Sequence, residues 1–349
     1  MTDAAHERAR RARSQAGSLR PSRRVRSEAR LGGRQGRAIV AGLTHRLSDL
    51  PFPVAPPRWP EHVPRPAPAR RTGVDYDTEW ARSYPARLAR AVLVDTVTRP
   101  AALAIAAPKV VGAELLGDLA TPVIFAANHA SHVDTPLVLA TLPSPIRHRT
   151  VVAAAADYFF DRRWKAHLWA LLLAAIPIER SKIDRRSTQL ALELLADGWN
   201  VVIFPEGGRS PDGWGQDFHP ASAAYLAVRS GRPVVPVHLS GTRQLLPKGR
   251  RTLRRAATTV TFAPPLWPGP DEDARRFGVR IAQAVAVLAD ERQSDWWSAR
   301  RRGAAGATPP LTGPDVAAWR RSWALPADAR PNADRGGPSD DPAWPSPRR

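Results

Sequence analysis

Residues 122 to 134 read Pro-Val-Ile-Phe-Ala-Ala-Asn-His-Ala-Ser-His-Val-Asp. His129 and Asp134 are the pair in this stretch suited to chemistry. A neutral imidazole accepts a proton from a hydroxyl. A carboxylate on the other ring nitrogen fixes the tautomer and stabilises the imidazolium that forms. Such a base contributes roughly 10²–10⁴-fold in rate. Residues five apart lie on opposite faces of a strand and about 140° apart around a helix. The pair therefore meets only if a turn folds the chain back between them. A plainer use competes with this one. Asp134 before Thr135 and Pro136 makes a good helix N-cap, and Ser131 to Asp134 fits a capping box.

Pro122 to Ala127 reads as a short strand buried on both faces, and Leu137 to Ala140 as the start of a helix. The polar cluster then sits at the carboxyl end of a strand, where open α/β sheets place ligands. The same arrangement recurs three times. Ile178 leads into Glu179-Arg180-Ser181-Lys182, Phe204 into Pro205-Glu206-Gly207-Gly208-Arg209-Ser210, and Leu239 into Ser240-Gly241-Thr242-Arg243. In a parallel sheet these ends share one edge. Together they supply a base, an acid, arginine forks suited to phosphate or carboxylate oxygens, and glycines that let backbone N–H groups approach an anion. Taken singly, Arg180 and Lys182 also fit a solvated edge, 205–208 a plain turn, and His238 a core histidine.

Candidate strands are 122–127, 149–154, 176–178, 201–204 and 234–239, with a further β segment at 258–263. Candidate helices are 134–141, 162–174, 184–197, 219–229 and 272–289, the third ending at Asp197-Gly198. This alternation predicts an α/β fold with a mainly parallel sheet flanked by helices. Upstream, 84–107 reads as one or two helices broken at Pro100, with arginines alternating with apolar residues. That stripe packs on the domain or lies on a membrane surface.

The chain has 349 residues, 43% of them hydrophobic, enough for a real core. It has no cysteine, which excludes disulfides, thiolate metal sites and cysteine nucleophiles. No apolar run reaches the 18 or so residues of a spanning helix, and the arginine-rich N-terminus lacks the apolar segment of a signal peptide. The net charge of +20 is uneven: residues 1–72 hold 16 Arg against 5 acidic residues. The expected organisation is a disordered Arg-rich segment 1–50, a Pro-rich linker 51–72, a helical, membrane-associated region 73–108, a catalytic domain 109–292, and an irregular Trp/Pro/Arg-rich tail 293–349.

Four blocks resemble those of the glycerolipid acyltransferases, typified by 1-acyl-glycerol-3-phosphate acyltransferase. Asn128-His129 to Asp134 resembles their NHxxxxD block, and Ile176 to Arg180 a second block ending in arginine. Phe204 to Ser210 is similar to FPEGTRS, and Val235-Pro236-Val237 to the proline-centred fourth. Order and spacing agree over roughly 105–265. Gly208 stands where threonine is usual, which removes a hydroxyl beside Arg209. The resemblance implies His129 as the base and Asp134 as its orienting partner. It implies that Asn128, Arg180, Glu206, Gly207, Gly208, Arg209 and Ser210 bind the acceptor, and that Pro236 lines the acyl-donor side. It further implies no metal and no cofactor, with acyl-CoA or acyl carrier protein as co-substrate.

The expected activity is acyl transfer to a lysophospholipid, by default 1-acylglycerol-3-phosphate, to give phosphatidic acid; another lyso-lipid or a glycolipid is the alternative acceptor. The expected place is the cytoplasmic side of the plasma membrane, held peripherally on its anionic surface, with no specific nucleic-acid partner. Two rivals stand further off. A metal hydrolase would use His129, His132 and Asp134, but their spacing departs from His-x-His-x-Asp-His. A basic nucleic-acid-binding protein would use 1–37 and leaves the four clusters unexplained. A serine hydrolase lacks its Gly-x-Ser-x-Gly elbow.

Overall fold

The computed structural model describes residues 73–119, 122–179, 185–219, 222–246 and 252–326. The chain divides into units 1–69 and 70–349, and everything described belongs to the second. The expected segments 1–50 and 51–72 lie outside the described residues, as do Arg180 and Lys182.

Seven strands form one sheet: β1 (Pro108–Val111), β2 (Ile124–Ala127), β3 (Thr150–Ala155), β4 (Ala175–Ile178), β5 (Asn200–Ile203), β6 (Val234–Ser240) and β7 (Thr258–Phe262). Their order is β1-β7-β6-β2-β5-β3-β4. β6, β2, β5, β3 and β4 run parallel; β7 is antiparallel to β6, and β1 pairs parallel with β7. The sheet is therefore α/β and mainly parallel, as expected. β1 was not anticipated: Pro108-Lys109-Val110-Val111 carries little apolar signal and becomes a strand by pairing with Thr258–Thr261.

Parallel neighbours need crossovers, and helices supply them. Asp134–Thr141, Arg163–Leu173, Arg185–Ala196 and Ala223–Ser230 each follow a strand, within four residues of the expected bounds. Helix Ala274–Gln293 follows β7. Every residue of β2 is fully buried. Phe125 and Ala127 pack into one core with Leu137, Val138, Val202 and Val237. Ile124 and Ala126 face a second, with Leu195, Val201, Phe277 and Ile281. This two-sided burial is why the strand reads as a continuous apolar run rather than an alternating one.

Two expectations change. The region 84–107 is not broken at Pro100. Pro100 sits in helix Arg99–Ala106, which continues without a break from the helical residues before it. The irregularity instead lies upstream, in a π-helical segment Val94–Thr98 that follows helix Tyr84–Leu93. The tail, expected to be irregular, contains helices Trp296–Ala304 and Ala318–Trp323. Asp295 caps the first by accepting from Ser298 N at 2.9 Å, and Arg302 makes two 2.7 Å bonds to buried Asp290.

Candidate active site

Three adjacent strands, β6, β2 and β5, end on the same edge, and the predicted polar residues follow each of them. After β2 the chain turns sharply. Ala130 N and Ser131 N donate to Asp134 Oδ2 at 2.7 and 2.8 Å, and His129 Nδ1 lies 2.8 Å from the same oxygen. Asp134 is the first residue of its helix, yet its carboxylate points back into the turn and does not cap the helix. The pair thus meets through the folded-back turn that its spacing required. Because the partner at Nδ1 is a carboxylate, Nδ1 carries the hydrogen and Nε2 keeps its lone pair. Asp134 is fully buried while the His129 side chain is 16% exposed, so the base alone reaches the surface.

The turn is braced by the segment after β5. Glu206 is buried and accepts His129 N through Oε1 at 3.0 Å and Gln216 N through Oε2 at 3.1 Å. Burial pushes its pKa up to about 8, against the lowering effect of those two N–H donors. Ser210 N donates to His129 O at 2.9 Å, and Ser210 Oγ accepts from Gly213 N at 2.8 Å. Gly207 adopts φ +66°, and a side chain there would press on His219. Gly208 O accepts from Gln216 Nε2 at 3.1 Å. The Phe204 ring stacks on His129 at 4.3 Å between centroids. Glu206 and Ser210 therefore hold the backbone of the base. Arg209 stays half-exposed beside them.

Asn128 forms a side-chain rung between strands. Its Nδ2 donates to Leu239 O at 2.9 Å, and its Oδ1 accepts from Leu239 N at 2.7 Å. This locks the end of β2 to β6. Pro236 lies inside β6, opposite Ala126 and buried, short of the strand-end edge. The second cluster is separated from β2. β4 is the outer strand, with β5 and β3 between, and Arg180 lies outside the described residues.

Two residues were missed. Gln216 ties Glu206 and Gly208 together from a loop that carries no motif. Tyr158, just beyond β3, stacks on His132 and places its OH 3.1 Å from Nε2; the polar pair Asp157-Tyr158 at a strand end was the available signal. Burial first, and then the charge of Arg209, bring His132 down to about 4, so it is neutral near pH 7. His132 faces Tyr158 and Asp134 faces His129. Among the described residues no group of three His, Asp or Glu side chains could hold a metal ion.

The comparisons with known proteins fall on this same region. A family model described as acyltransferase matches residues 107–240. A 1-acyl-sn-glycerol-3-phosphate acyltransferase of Chlamydomonas reinhardtii is 30% identical over 183 residues, covering 51% of this chain and 52% of that protein. A chloroplastic 1-acyl-sn-glycerol-3-phosphate acyltransferase of Brassica napus is 30% identical over 148 residues, covering 40% and 38%. The chain thus spans about half or less of the length of these relatives. A solved structure, the 1-acyl-sn-glycerophosphate (LPA) acyltransferase PlsC from Thermotoga maritima, is 26% identical over 65% of this chain and 87% of that one, with a TM-score of 0.48. The matched segment, residues 107–240, contains β2, the His129–Asp134 dyad and the Glu206 brace, and it is this segment that is similar to the acyltransferase family.

Proposed function

We propose that the protein moves a fatty acyl group from a thioester, acyl-CoA or acyl carrier protein, to the free hydroxyl of 1-acylglycerol-3-phosphate, giving phosphatidic acid. The observation that carries this is the 2.8 Å contact between His129 Nδ1 and buried Asp134, on a turn whose backbone is held by Glu206 and Ser210. Nε2 takes the acceptor's hydroxyl proton as that oxygen attacks the thioester carbonyl. The tetrahedral adduct expels the thiolate, and the imidazolium returns the proton to sulfur. Asp134 stabilises the charge between the two steps. Arg209, half-exposed at the same edge, supplies the cation for the acceptor's phosphate, and Arg180 joins it in this proposal. No metal or cofactor takes part; full activity in the presence of a chelator is the matching expectation.

The names of the relatives support the choice of acceptor. The test is thiol release from an acyl-CoA by the purified protein with 1-acylglycerol-3-phosphate. Acceptor-dependent release that falls roughly 10²–10⁴-fold in His129→Ala is expected. Release without acceptor would make the protein a thioesterase and sink the proposal.

The place of action is proposed to be the cytoplasmic face of the plasma membrane, by peripheral attachment to an anionic surface. No described helix is long and apolar enough to cross a membrane. Tyr84, Leu88 and Val92, spaced by four along one helix, are all more than half exposed. Trp164 and Leu168 are exposed on helix Arg163–Leu173, which contacts that helix. An apolar stripe left in water beside basic residues suits an interfacial surface.

A further inference from the structure

Beside the catalytic turn lies a cavity of about 290 Å³ that the acyl-transfer chemistry leaves unused. Its floor is the chain leaving β6, Leu239 to Arg243, together with Asn128 and Ala130; His129 does not line it. Its roof is the C-terminal segment around Pro309–Pro314. That roof is fastened to the loop after Ser210. Gly215 N donates to Leu311 O at 2.9 Å, and Trp214 Nε1 to Arg321 O at 3.0 Å. Arg321 also binds Asp212 at 2.9 Å.

Two polar groups in this cavity have nothing to bind. Thr242 is 1% exposed, and its Oγ1 has no hydrogen-bond partner among the described residues. Arg243 Nε and Nη1 are buried and equally unpartnered. Buried donors are seldom left unmet in a natural fold, and an unmet charged one is rarer still. Asp212 favours the charge of Arg243 from nearby, but no carboxylate is bonded to those two nitrogens among the described residues. Of the nearby acids, Asp290 is taken by Arg302 through two 2.7 Å bonds, and Asp212 by Arg321. The remaining walls, including Trp214, Leu311, Ala286 and Ala289, are largely apolar. The space is much larger than one phosphate group.

We propose that this cavity binds a phosphate group, free or carried by a small amphiphile such as a lipid headgroup, on the Arg243 guanidinium and the Thr242 hydroxyl beneath the C-terminal strap. Guanidinium forks and a hydroxyl are the donors such oxygens take. The apolar walls accept a short stretch of carbon attached to it. Arg243 packs against Gly213, where a Cβ would lie 3.3 Å from its Cζ, so the loop carrying Ser210 closes directly over the cation.

The site is separable from the acceptor clamp proposed above. In full-length Arg209→Ala protein, calorimetric titration with inorganic phosphate at constant ionic strength should show one saturable site. Adding Arg243→Met should weaken it about ten- to a hundredfold. Thr242→Val, which keeps the volume, should weaken it less and serves if the Arg243 variant fails to fold. Glycerol 3-phosphate and 1-acylglycerol-3-phosphate are titrated in parallel. Tighter binding of either identifies a headgroup ligand, and equal binding identifies phosphate itself. If Arg209→Ala binds none of the three above a chloride control, or if its binding is indifferent to both Arg243→Met and Thr242→Val, the site does not exist. Because the readout is binding, this outcome is independent of whether thiol release is observed.

Discussion

Asp134 Oδ2 accepts from His129 and from two backbone N–H groups of the same turn. Replacing it by Asn swaps an oxygen for an NH₂ or forces the amide to offer a single acceptor to three donors. Asp134→Asn should therefore lose roughly 10²–10⁴-fold in thiol release and should also melt earlier, which separates it from His129→Ala, expected to lose activity with little change in melting. Glu206 carries a different expectation. Its native pKa of about 8 stands above the ordinary 4.5, so the folded state holds the proton more tightly than the unfolded one. Its contribution is greatest below pH 4.5 and is lost as pH rises from 4.5 through 8. Glu206→Gln removes this titration but accepts only one of the two N–H groups, at a cost of about 1–3 kcal/mol. Melting temperature against pH should show a shallower alkaline decline in the variant, from a lower starting point. His132 adds the opposite limb. Its pKa, lowered from 6.5 to about 4, removes stability as pH falls through that window.

At the scale of elements, the strand ends do the positioning. β2 lies between β5 and β6, and its residues feed both cores. Phe125→Ala should cost about 3–5 kcal/mol in denaturant unfolding, because a fully buried ring leaves a cavity between layers that cannot collapse. The tail helices matter for a different reason. Asp290 is 7% exposed, and Arg302 is the partner that makes its burial tolerable. Removing one partner of a buried pair strands the other charge. Arg302→Ala should therefore loosen helix Trp296–Ala304, seen as faster amide exchange across 294–304, while leaving the β2 turn protected.

The excess of arginine is concentrated in residues 1–72, and the exposed apolar side chains include the Tyr84, Leu88 and Val92 stripe. If the protein works at a lipid surface, Leu88→Asp/Val92→Asp should reduce sedimentation with anionic vesicles several-fold, and raising salt should reduce it further. Thiol release with a dispersed short-chain acceptor should be unchanged, since both side chains are more than half exposed to solvent. Vesicle binding indifferent to both changes would place the membrane contact elsewhere.

The sequence alone determined the alternation of strands and helices, because a strand buried on both faces must be apolar throughout and a crossover helix must carry a stripe. It also determined that His129 and Asp134 meet only across a turn, since neither regular element brings residues five apart together. Burial and long-range pairing decided the rest. β1 has little signal of its own, only Val110-Val111, and becomes a strand by pairing with β7. Asn128 and Glu206, assigned by family resemblance to the acceptor, bind backbone of Leu239 and His129, because those partners lie 111 and 77 residues away and only the closed sheet brings them near. Gln216 sits in a loop without pattern, and the tail becomes helical because Asp295 caps it and Asp290 needs its arginine. Thr242 and Arg243 were visible as a polar strand end. That they face a cavity without partners depends on a strap about 70 residues further along the chain, which no spacing encodes.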